Sequence, residues 1–92
     1  MKWLEIIKVR TAGNHDGLLE EFLSSLAKVD QRGGLMEIKT YHHATLGTDL
    51  SVQLLWESDR PEQNGTALGL RLAQTLKEFG LTDHSIWIED EK

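Results

Sequence analysis

The spacing of apolar residues constrains this chain more than any other feature. It switches from every second residue to every third or fourth and back again, twice over. Residues 2–11 hold "KWLEIIKVRT", with Trp3, Ile7 and Val9 on one alternating set and Leu4 and Ile6 on the other. A strand apolar on both sets suits the middle of a sheet. "AGNHDG" breaks the pattern, and Asn14 or Asp16 is placed to cap a helix. From 17 to about 31 the period lengthens: Leu18, Leu19, Phe22, Leu23, Leu26 and Ala27 make one helical stripe. Glu20 and Glu21 lie near its start and Lys28 and Arg32 near its end, as a helix dipole favours. "RGG" offers a glycine stop.

Alternation returns over 35–46 and 50–58, joined by the short turn "GTD", which predicts an antiparallel hairpin. In the first of these strands Met36, Ile38, Thr40, His42 and Ala44 share one face. Leu35, Glu37, Lys39, Tyr41, His43 and Thr45 share the other. In the next strand Val52, Leu54 and Trp56 oppose Gln53, Leu55 and Glu57. A polar loop containing Pro61, the only proline, leads to a second helix over 66–79 with a stripe of Leu68, Leu72, Leu76 and Phe79. Gly69 and Ala73, one turn apart, would let it lie close to a sheet. A last strand, 81–89, sets His84, Ile86 and Ile88 against Asp83, Ser85 and Trp87. The order β-α-β-β-α-β is the ferredoxin-like pattern, an α+β fold with two helices on one face of a four-stranded antiparallel sheet. The 92 residues form one such domain, 1–92.

Composition narrows the partners. The net charge is −5 with histidine neutral, and the basic residues form no stripe with interleaved aromatics, so neither nucleic acid nor an anionic membrane is an expected partner. No apolar run reaches the length that spans a bilayer, and Glu5, Lys8 and Arg10 interrupt any signal-like segment. The expected location is the cytoplasm. Cysteine is absent, which removes disulfides and thiolate chemistry. A core this small without such staples favours oligomerisation.

Helices on one side leave the other face of the sheet uncovered. That face collects Leu4, Ile6, Lys8 and Arg10, then Glu37, Lys39, Tyr41 and His43, then Gln53, Leu55 and Glu57, and finally Ser85 and Trp87. It carries too much apolar area to face water alone and too many polar groups for a dry core. A homodimer formed through the open sheet face, with a polar-lined cleft, satisfies both.

The layout and the run "GLMEIKTYHHATLGTDLSVQLLWES" resemble the dimeric α/β-barrel superfamily, in particular the antibiotic biosynthesis monooxygenase-like proteins. The shared features are a glycine leading into the second strand and a third strand ending in tryptophan-glutamate, here Trp56-Glu57. The resemblance implies paired sheets and a small organic, aromatic ligand. It also implies an activity like that of cofactor-free oxygenases. Haem-degrading relatives use a first-strand asparagine and a second-helix histidine, and this chain has neither.

Adjacent strand residues point to opposite faces, so His42 and His43 do not chelate one metal, and no metal or other cofactor is expected. His43, beside Tyr41 on the open face, is the candidate general base, with Tyr41 or Gln53 orienting a substrate. Trp56 (a position match to the family) and Trp87 are candidate ligand contacts as well as candidate core or interface anchors. Arg10 is a candidate anion contact, or a member of an ion-pair row with Lys8 and Glu57. His15 and His84 are read as structural or exposed. The alternative to an enzyme is a non-catalytic homodimeric module, structural or regulatory, whose open face is only its interface.

Overall fold

The computed structural model describes residues 1–13 and 17–90. The elements are β1 (Lys2–Thr11), α1 (Leu18–Ser25) extended by one 3-10 turn (Leu26–Lys28), β2 (Leu35–His42), β3 (Asp49–Glu57), α2 (Ala67–Leu76) and β4 (Gly80–Ile88). All strand pairs are antiparallel, in the order β2-β3-β1-β4. This is the ferredoxin-like α+β architecture that the periodicity predicts, with β1 central. Trp3, Ile7 and Val9 of β1 and Leu50, Val52, Leu54 and Trp56 of β3 are buried with Leu19, Leu26, Leu72, Ala73 and Leu76 of the helical segments. One face of the sheet therefore holds the core. The expected caps Asn14 and Asp16, and His15, lie outside the described residues. No helix among the described residues is long and apolar enough to cross a membrane.

Apart from shifts of one to three residues at other element ends, such as those of α2 and β4, the main differences from the expectation have local reasons. The first helix closes at Lys28 rather than near 31, because Val29 turns to extended geometry. The glycines of "RGG" serve the entry to β2 instead. Gly33 and Gly34 have φ of 61° and 90°, and a Cβ on Gly34 would overlap the Glu57 carbonyl. A bulge between Leu35 and Glu37 then turns Leu35 to the core side, opposite Trp56, not to the open face. Finally, β2 stops at His42 instead of running to 46. The His43 ring takes over the turn, its Nδ1 accepting the backbone N–H groups of Thr45 at 3.1 Å and Leu46 at 3.0 Å.

Among the described residues the core contains one ionisable side chain, which the strand pattern conceals. Glu5 lies between Trp3 and Ile7 on the buried face of β1 and is 0% exposed. Each carboxylate oxygen meets two donors. Oε1 accepts from Trp56 Nε1 at 3.2 Å and from the Thr66 hydroxyl at 2.7 Å. Oε2 accepts from the Thr66 backbone N–H at 2.9 Å and from His84 Nε2 at 2.7 Å. Thr66 is the N-cap of α2, and its hydroxyl also accepts the Gly69 N–H at 2.9 Å. The carboxylate thus sits at the positive end of α2 and ties together β1, β3, β4 and the helix. Trp56, donating to it from one side, stacks on Trp3 with centroids 5.6 Å apart.

This close approach requires Gly69: a Cβ there would fall within the Glu5 carboxylate. Gly69→Ala should therefore destabilise by about 1–3 kcal/mol, against the roughly 1 kcal/mol gain that alanine normally brings to a helix. Glu5→Ala, which strands three buried donors and the partly buried His84, should cost about 3–5 kcal/mol. Urea denaturation checks both, and an unchanged midpoint for Glu5→Ala would refute the anchoring role.

Candidate functional site

The open face is built by the residues that alternate with the core set. The register places Leu4 beside Leu55 and Trp87, and Ile6 beside Gln53 and Ser85. Further along, Lys8 lies between Ser51 and Asp83, and Arg10 between Asp49 and Leu81. The face accordingly has two halves. One is largely apolar, around Leu4, Ile6, Leu55 and Trp87. The other carries charged and hydrogen-bonding side chains and forms a cleft of about 470 Å³ whose surface is mostly apolar.

All four strands or their ends contribute to the cleft: Lys8 and Arg10 from β1, Tyr41, His42 and His43 from the end of β2, Asp49 and Ser51 from β3, and Leu81 and Asp83 from β4. Tyr41 sits opposite Ser51, and His43 follows where the ladder gives way to the loop. Tyr41 and Leu81 are exposed, the latter by 79%, so the cleft presents apolar as well as polar surface. His42 pairs with Leu50 in the ladder, and both it and His43 line this cleft. Among the described residues no three His, Asp or Glu side chains gather as a metal would require.

The electrostatics of the cleft are set by Arg10 and Asp49. They face each other across the β1·β3 ladder and pair in bidentate fashion, Nε to Oδ1 and a terminal nitrogen to Oδ2, both at 3.0 Å. The Arg10 hydrogen bond holds the Asp49 carboxyl below the usual carboxylate range; burial opposes it, and Thr48, the Arg10 charge and His43 add to the lowering. The guanidinium is held above its ordinary value, first by the hydrogen bond to Asp49 and then by its charge. Arg10 therefore does not join a row with Glu57, which lies opposite Lys2 at the far end of the sheet.

Among the sequence candidates, the cleft unites Arg10, Tyr41 and His43 and leaves out three others. Gln53 is half-buried mid-sheet, between Ile6 and Lys39. Trp56 is a core residue, with its ring on Trp3 and its N–H on Glu5, so the ligand contact expected of it is corrected to a structural one. Trp87 is 55% exposed but lies at the apolar end, its N–H donating to Ser85 at 2.8 Å. The geometry of His43 also bears on the role expected of it. Two backbone N–H groups occupy the Nδ1 lone pair, so the neutral ring carries its proton on Nε2 and presents a donor, not a free base.

The sequence did not reveal the roles of Glu5 and Thr66, and of His84 it indicated a structural place but not its bond to Glu5. A lone glutamate among Trp3, Ile7 and Val9 on the buried set of a central strand signals a partnered carboxylate. A threonine three residues before Gly69 signals the cap. The four donors saturate Glu5, and the cleft does not reach it or His84. Comparison with known proteins finds no matching family model and no match among curated proteins or solved structures.

Because Asp49 is held low, the stabilisation from its pair with Arg10 is complete above the ordinary carboxylate range. It is lost as pH falls through the lowered value. Asp49 should thus titrate at lower pH in the wild-type protein than in Arg10→Gln, as read by carboxyl NMR shifts. The stability gap between the two proteins should close on acidification. Identical Asp49 titrations would refute the pairing.

Proposed function

We propose that this chain is a homodimeric, small-ligand-binding protein of the antibiotic biosynthesis monooxygenase-like kind, acting in the cytoplasm. Its ligand is a small aromatic molecule bearing a phenolic or carbonyl oxygen. The observation that carries this reading is the cleft that holds Tyr41 and His43 together on the face left free by the helices. Tyr41 and Leu81 supply apolar contact. His43 Nε2–H and the Tyr41 hydroxyl supply donors, and the Arg10 charge lies close by. Dimerisation joins the apolar halves of two open faces through Leu4, Ile6 and Leu55 and leaves each cleft at the end of the contact.

The oxygenase version of this function needs no bound cofactor, because an electron-rich quinol supplies the electrons. The protein would then bind the substrate as its anion and exclude water. The hydrogen bonding of His43 favours stabilising that anion over abstracting the proton. The same observation supports a second reading, a non-catalytic dimeric module, in which His43 only closes the β2–β3 turn.

The test uses 1,4-dihydroxynaphthalene, titrated anaerobically by calorimetry. Saturable binding is expected, weakened about tenfold by Tyr41→Ala or His43→Ala, the loss of roughly 1.4 kcal/mol for one contact. Oxygen admitted to the complex should be consumed above the protein-free rate if the protein is an oxygenase. Binding without uptake leaves a binding protein. No binding by the wild type overturns the ligand reading in favour of the module.

A further inference from the structure

The two edges of the sheet are not alike. On β2 the edge is interrupted by the bulge before Glu37 and carries the Lys39–Glu37 ion pair at 3.4 Å. Such features discourage a further strand from adding. On β4, "GLTDHSIWI" runs nine residues without bulge or proline, and Asp83 is its only acidic or basic residue besides His84. Leu81, Trp87 and Ile88 are exposed by 79%, 55% and 54%.

Its free backbone groups can be identified. Ala12 N–H bonds to the Phe79 carbonyl and Glu89 N–H to the Lys2 carbonyl, in the register of the β1·β4 ladder. Hydrogen-bonded pairs alternate along an antiparallel ladder. The odd-numbered residues of β4 therefore turn their N–H and C=O groups toward β1. Thr82, His84 and Ile86 direct theirs away from the sheet.

We propose that β4 pairs, antiparallel and about a two-fold axis at His84, with β4 of a second copy of this chain. This contact is separate from the face-to-face one. Thr82 and Ile86 then bond reciprocally across the edge, and two four-stranded sheets become one of eight strands. The side chains of the open face favour this register over its two neighbours, while on the other face it sets His84 beside its counterpart, each already bonded to the Glu5 of its own chain. This register sets Leu81 against the second copy's Trp87 and Asp83 against its Ser85. A register centred on residue 83 would oppose the two Asp83 carboxylates, and one centred on residue 85 would set Asp83 against Trp87.

A consequence, resting on the ligand reading, concerns Trp87. Within one chain it lies roughly 20 Å along the strand from Leu81. Across the paired edges, the second copy's Trp87 stands beside Leu81 at the rim of the cleft and completes its apolar wall.

Cross-linking tests the register directly, since the native chain has no cysteine. In the proposed pairing, positions 83 and 85 of the two copies are directly opposite, about 4.5 Å apart at Cα; like positions are diagonal, roughly 7–8 Å apart. Asp83→Cys protein mixed with Ser85→Cys protein under mild oxidation should form disulfide dimers at least tenfold faster than either protein alone. Equal rates, or no dimer, overturn the edge pairing.

Light scattering separates the two contacts. Thr82→Pro removes an outward N–H and should halve the particle mass, whereas Leu55→Glu tests the face. Halving by Leu55→Glu alone, without selective cross-linking, overturns the edge contact and keeps the face contact. Halving by Thr82→Pro alone, with selective cross-linking, does the reverse. For the wall, Trp87→Ala should weaken 1,4-dihydroxynaphthalene binding about tenfold, and unchanged affinity overturns that role. If the wild type does not bind the probe, the ligand reading falls while the cross-link still decides the edge.

Discussion

A carboxylate with no access to water dominates the architecture. Burying the Glu5 charge costs several kcal/mol unless its oxygens are saturated by donors, and this structure saturates them from three directions. Trp56 and His84 are diagonal neighbours on the flanking strands, and Thr66 descends from the cap of α2. The helix cannot shift along or away from the sheet without breaking these bonds. Gly69 and Gly65 show how close the parts come, since a Cβ on Gly65 would lie 2.6 Å from the His84 ring. An apolar residue at position 5 would bury as well but would not specify where α2 begins.

With α2 held in this way, both helices stay on one face and the other is released for a different use. That face is divided rather than uniform. Its apolar half suits contact with another copy, while its polar half holds a cleft whose charges are already organised by the Arg10–Asp49 pair. Such pre-pairing, with Lys8 and Asp83 as the other opposite charges along the lining, keeps the charge of the cleft close to balanced.

Much of the fold was legible in the spacing of apolar residues. The strands and helices follow the changes of period, and the split of β1 and β3 into core and open faces holds residue by residue. The misplaced boundaries share one cause: a local interaction that periodicity does not register. His43 ends β2 through a ring nitrogen, the bulge at Met36 reverses the facing of Leu35, and Gly34 approaches the backbone of Glu57. The candidate site was legible only in part. Arg10, Tyr41 and His43 meet because they share a face and an end of the sheet, whereas of the two roles open to Trp56 the core one holds, fixed by its contacts with Trp3 and Glu5.

The sequence by itself determined the order of elements, the central place of β1 and the existence of an uncovered sheet face, because these follow from which residues must avoid water. Only the tertiary structure decided which charged residue is buried, which histidine serves it and where on the open face the cleft lies. Those outcomes depend on neighbours far apart in the chain. Glu5 and His84 are separated by 79 positions and 2.7 Å, and no local spacing encodes that proximity.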